Sequence, residues 1–220
     1  MKRSANYCLL VILLLYFPDY AYPQGAFYSN GKTVDGYISI KSWKEMRDFG
    51  IEKQDLDYSC GSASVATILR SFYGLDVYEK DILDEIEKIG NDGTASFSDL
   101  EKVVQVFDFK GIGLSVSFEK LKSIKIPAIV YLRYRGLDHF SVIRGVSKTG
   151  TVWLGDPSWG NRKFTEFQFK KVWETRDDEK LKGKILLIIP QDKSIATLDK
   201  DFFHPPQVNN TAIELLTLRR

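Results

Sequence analysis

The chain of 220 residues is 44% hydrophobic, 13% aromatic and 27% charged, proportions that exclude disordered, collagen-like and multi-span membrane chains. Lys plus Arg number 31 against 29 for Asp plus Glu, a formal charge of +2, and no basic run stands out, so a nucleic-acid partner is excluded too. The length suits one domain with an appended tail better than two full domains.

In chain order, Lys2 and Arg3 precede the apolar run Cys8 to Phe17, which Pro18 and Asp19 stop. This is the pattern of a secretory signal peptide, and the run falls short of the roughly 20 apolar residues of a bilayer span. Cleavage is expected after Ala21 or Ala26. Neither site has a small residue two positions earlier, so an uncleaved segment stays open as the one route to a membrane. The expected destination is extracytoplasmic, periplasmic or secreted. Cys8 leaves with the segment, and Cys60 becomes the only thiol. In an oxidising compartment a lone cysteine is either buried and inert or kept for its reactivity.

After the leader, residues 25–36 are turn-rich and Tyr37 to Ile40 alternates as a strand. Helical spacing follows over Ser42 to Phe49, Cys60 to Tyr73 with Gly74 as its stop, and Val77 to Ile89. A further helix, capped by Ser98 or Ser96, runs to Phe107. From Gly113 the period changes, with strands expected over Leu114 to Phe118, Ile126 to Leu132, His139 to Val146, Thr151 to Gly155 and Lys184 to Ile189, and a helix over Thr165 to Trp173. Helices first and strands afterwards predict an α+β fold, N-terminal helices packed on a C-terminal antiparallel sheet. The domain is assigned to residues 27–192 and an irregular tail to 193–220, with a short helix over Thr211 to Leu218.

The segment Gln54-Asp55-Leu56-Asp57-Tyr58-Ser59-Cys60-Gly61 puts a cysteine at a helix start, where free N–H groups and the dipole favour thiolate. Gln54, on the approaching loop, can join the Cys60 N–H in donating to an oxyanion. Gly61 is read as leaving the approach to the sulfur open. A thiol nucleophile needs a base, and the chain has two histidines. His139 sits in an alternating strand that would hold it rigidly, whereas His204 lies beside two prolines in the tail. If a tight turn pairs Ser147 with Gly150, Asp156 falls opposite Ser141 and on the diagonal of His139, about 7 Å away on the same face. A one-residue change of register would send it to the other face.

Gln54, Cys60-Gly61, Tyr73-Gly74, His139-Phe140 with Gly145, and Asp156-Pro157 with Gly160 together resemble the bacteriocin-processing, double-glycine leader cysteine peptidases of the papain clan, over about residues 41–189. The resemblance implies a papain-like fold with Cys60 as nucleophile, His139 as general base, Asp156 orienting it and Gln54 building the oxyanion hole. It implies neither cofactor nor metal. The best-known members are fused to ABC exporters, whereas this chain resembles the stand-alone secreted branch. Its expected partner is a peptide or protein substrate, such as an exported leader-bearing or fimbrial protein. Two alternatives share the residues: a binding or assembly factor of the same fold that does not cleave, and a thiol acyltransferase. The Gly31-Lys32-Thr33 triplet lacks the upstream glycine of a phosphate loop, and Trp153 and Trp159 flank Asp156 as candidate cleft or packing residues.

Overall fold

The computed structural model describes residues 25–29, 35–39, 42–90, 94–134, 136–175, 182–192 and 199–203. The leader segment, His204 and the proposed helix at Thr211 lie outside them. Two compact units divide the chain at residue 42. The first contains an antiparallel hairpin of β1 (Gly25–Ser29) and β2 (Asp35–Ser39).

The second unit is α+β. Its helices α1 (Trp43–Asp48), α2 (Cys60–Ser71), α3 (Glu79–Lys88) and α4 (Phe97–Val103) come first. Strands β3 (Phe109–Ser115), β4 (Ala128–Tyr134), β5 (Leu137–Val146), β6 (Val152–Asp156), β7 (Gly160–Phe164) and β8 (Lys184–Pro190) follow, with α5 (Phe118–Lys122) and α6 (Glu166–Trp173) between them. The six strands form one sheet in the order β3-β8-β4-β5-β6-β7, every neighbour antiparallel.

Residues 60–69 of α2 are all buried. Small side chains at Gly61, Ser62, Ala63, Ser64 and Ala66 let this helix lie close to the sheet. It shares one core with Ile82 and Ile86 of α3, Leu100 of α4, and Ile129, Val142, Leu186 and Ile188 of the sheet. The Tyr73 hydroxyl, just past the helix, donates to the Ile188 carbonyl at 2.6 Å. The other face packs Phe118, Leu121, Phe169 and Trp173 against Val130, Leu132, Ile143, Leu154 and Ile185. Each large side chain buried there contributes about 1.5–3 kcal/mol of transfer free energy.

Several elements differ from expectation. The predicted strand Leu114 to Phe118 lies earlier, as β3, because Ser117 caps α5 by accepting from the Lys120 N–H and turns Phe118 into its first residue. Glycines at 111 and 113 had hidden the true strand. The polar strand β7 carries no apolar alternation and gave no signal. Ser96 rather than Ser98 caps α4, in a reciprocal box with Asp99.

Candidate active site

Cys60 is the first residue of α2 and 8% exposed. The loop before it is held at several points. The Ser59 hydroxyl donates to the Leu56 carbonyl at 2.8 Å, and the Glu52 N–H donates to Thr67 Oγ1 at 2.9 Å. Both oxygens of Glu79, a buried carboxylate, accept the Asp55 N–H, at 3.1 and 2.9 Å. From the sheet, the Phe140 N–H points at Cys60 Sγ, 3.4 Å away. That contact ties the sulfur to β5, the strand that also carries His139.

Gly61 lies where α2 packs on β5 and α4. A Cβ there would lie 3.2 Å from Phe140 and 3.4 Å from Leu100, so the position is reserved for packing between α2 and β5.

His139, on β5, is 15% exposed at its side chain, and its Nε2 lies 3.1 Å from Asp156 Oδ1. Burial, the largest single influence, pushes the imidazole pKa down. Hydrogen bonds to Asp156 and to Cys60, with the negative charges of both, outweigh it and raise the value to about 9. With Nε2 on Asp156, Nδ1 is the nitrogen left to serve the thiol. Asp156 is fully buried. Its Oδ1 also accepts the N–H groups of Ser158 at 2.9 Å and Trp159 at 3.0 Å, and its Oδ2 accepts the Ser141 hydroxyl at 3.1 Å. Burial alone would raise its pKa, but the bond to His139, that charge and the two N–H donors lower it. The pair therefore stays ionised near neutral pH.

Gln54 is fixed by its neighbours. Its Oε1 accepts the Ser158 hydroxyl at 2.6 Å, its Nε2 donates to the Leu56 carbonyl at 2.8 Å, and its own N–H donates to Pro157 O at 3.3 Å. The amide carries a second N–H besides the one given to Leu56. Ser158 thus joins the loop of Gln54 to the carboxylate of Asp156. Ser141, Ser158 and Glu79 were missed from sequence, where serines and an isolated glutamate carry no pattern; only the place of Ser158 after Asp156-Pro157 pointed toward the site.

Beside Cys60 and His139 runs a groove lined by Asp57, Tyr58, Ser96, Phe97, Tyr131 and Phe140 among others. Phe97 and Phe140 stack with centroids 5.1 Å apart, and Tyr131 meets Phe140 at 5.8 Å. A thiol hydrogen-bonded to an imidazole, itself held by a buried carboxylate, is the arrangement of nucleophilic acyl transfer.

The peptidase C39 family model matches residues 48–176. The chain belongs to that family. It is a cysteine peptidase. Over 204 residues, 90% of this chain and 85% of the relative, it is 31% identical to the "Probable functional amyloid protease FapD" of Pseudomonas fluorescens. Over 143 residues, 62% of each chain, it is 30% identical to the protein of the same name from Pseudomonas aeruginosa. Among solved structures, the double-glycine motif protease of an AMS/PCAT transporter in complex with its leader peptide superposes with a TM-score of 0.51 at 22% identity, covering 64% of this chain and 90% of that one. The peptidase domain of Streptococcus ComA gives 0.53 at 17%, covering 64% and 98%. These likenesses establish the papain-like fold of the C39 peptidase domains.

Proposed function

We propose that this C39 peptidase is an extracytoplasmic endopeptidase that cleaves an exported protein after a pair of small residues, through Cys60, His139, Asp156 and Gln54. The observation that carries the reading is the continuous chain from Cys60 Sγ to His139 to Asp156, with the Nε2···Oδ1 contact at 3.1 Å. In it, the Cys60 thiolate attacks the peptide carbonyl, and the oxyanion is met by the Cys60 N–H and the second N–H of Gln54. Protonated His139 gives its proton to the leaving amine, then takes one from the water that hydrolyses the thioester. Asp156 keeps the ring oriented.

The aromatic wall of Phe97, Phe140 and Tyr131 narrows the groove next to Cys60, which supports selection of glycine before the cut. The likeness to FapD over 90% of this chain and the leader-like N-terminus support an exported substrate, of which an amyloid-forming fibre subunit is the favoured class. The test is a quenched-peptide library varied at the two residues before the cut. Wild-type enzyme is expected to cleave Gly-Gly members, and Cys60→Ala and His139→Ala to cleave none. Turnover by Cys60→Ala at the wild-type rate overturns the mechanism, and equal cleavage after bulky residues overturns the specificity.

A further inference from the structure

The β4–β5 hairpin carries the site on two faces. Tyr131, Asp138 and Phe140 line the groove, and so does His139. Residues alternate along a strand, so Leu132, Tyr134 and Leu137 belong to the opposite face, where Tyr134 pairs with Leu137, and His139, paired with Leu132, stands at the boundary between the two. The imidazole thus sits at the edge of the groove, lining it beside Cys60 while its Nε2 meets Asp156.

On the face of Tyr134 stands Arg162, paired with Leu154 across β6 and β7. Its guanidinium lies 4.9 Å from the Phe164 ring centroid, 5.5 Å from Tyr134 and 5.9 Å from Trp159. Each ring offers it a cation–π attraction of roughly 0.5–1 kcal/mol. No acceptor among the described residues takes its N–H groups, and no carboxylate pairs with it. A guanidinium with no anion among the described residues is a ready fork for one. Next to it Trp159, whose N–H is bound to Asp156, is 65% exposed, and Leu137 is 74% exposed.

The chemistry gives this surface a direction. His139 must protonate the leaving nitrogen, so the substrate half that departs as amine lies on the imidazole side, toward Trp159 and Arg162, while the acyl half fills the aromatic groove. We propose that Arg162, framed by Trp159, Tyr134 and Phe164, determines specificity by binding an acidic side chain of the substrate just after the cleaved bond. The proposal rests on the peptidase reading of Cys60 and His139.

Quenched peptides sharing one Gly-Gly acyl half and carrying Asp, Asn or Lys at each position just after the cut test it. With wild-type enzyme, kcat/KM is expected to favour Asp over Asn by about tenfold at one position in low salt, the strength of a good charged hydrogen bond. Arg162→Gln is expected to bring that ratio near one, Arg162→Glu to reverse it toward Lys, and Lys163→Gln, on the other face of β7, to leave it unchanged. Equal use of Asp and Asn by wild type, or the same preference in Arg162→Gln, overturns the proposal. Absence of cleavage by wild type would instead count against the peptidase reading. Anisotropy with the same peptides and Cys60→Ala then decides the Arg162 question separately, since equal binding of Asp and Asn peptides overturns it.

Discussion

Asp156 accepts hydrogen bonds from His139, Ser141, Ser158 and Trp159 while fully buried, and this governs the pH behaviour of the site. His139 is raised from 6.5 to about 9, so the folded protein binds more protons than the unfolded chain between those values. Its contribution to stability is complete below about 6.5 and is lost as pH rises to about 9. Asp156 acts in the opposite sense: its pKa is lowered from 3.8, so its contribution holds above that value and is lost as pH falls through the folded value. The alkaline limb of kcat/KM is expected near pH 9 in wild type. In Asp156→Asn it should move down by about 1–3 units, and a limb that stays put would detach Asp156 from the imidazole. Ser158→Ala releases the Gln54 carbonyl, so kcat should fall about tenfold with little change in KM, as for a weakened oxyanion contact. Cysteine, histidine, aspartate and glutamine were legible because their chemistry is rare and their spacing fixed. Ser158 and Glu79 act through backbone and amide contacts that only the folded loops create.

At the scale of elements, the meeting of His139 and Asp156 depends on register, and two departures from simple pairing cancel. The turn after β5 is one residue longer than a two-residue hairpin: the Ser147 N–H donates to Thr151 O at 2.8 Å and Gly150 adopts φ +87°, a three-residue loop closed by a left-handed glycine. Gly145 consequently pairs with Trp153. A bulge between Ile143 and Gly145 then restores the pairing of Val142 with Gly155, which puts Asp156 opposite Ser141. Pairing Ser147 with Gly150 gives the same juxtaposition with a turn one residue too short and no bulge, for which no residue type gives a signal. The bulge residue, Arg144, is 2% exposed. Its Nε donates to Phe202 O at 2.7 Å, and Nη1 donates to Phe49 O and Asn161 Oδ1, both at 2.8 Å. Burial lowers its pKa to about 10. Arg144→Met should destabilise by about 3 kcal/mol, because it strands buried acceptors. It should also lower kcat through the displaced β5–β6 register; denaturant unfolding and kinetics measure the two effects.

For the molecule as a whole, the expected domain end at residue 192 leaves out side chains that the core uses. Phe202 is 1% exposed and packs edge-on against Phe72 at 5.5 Å, and Arg144 lies 4.6 Å over its ring. Phe203 meets Phe72 at 5.4 Å, and the Asp199 N–H donates to Phe72 O at 2.9 Å. Two aromatics beside prolines in a polar stretch show no period, so composition reads them as tail; their burial follows from the hollow that α2, β5 and Arg144 leave together. Residues 199–203 thus close the core on the α2 side and bind Arg144, which lies on β5, the strand of His139. Phe202→Ala should destabilise by about 3–5 kcal/mol, the range for removing a buried ring. Truncation after residue 192 should do at least as much, while truncation after residue 203 keeps every one of these contacts. Thermal unfolding of the three proteins, read beside their peptide cleavage, checks the order. If the chain ending at 192 melted with wild type and cleaved normally, the segment would not be part of the folded enzyme.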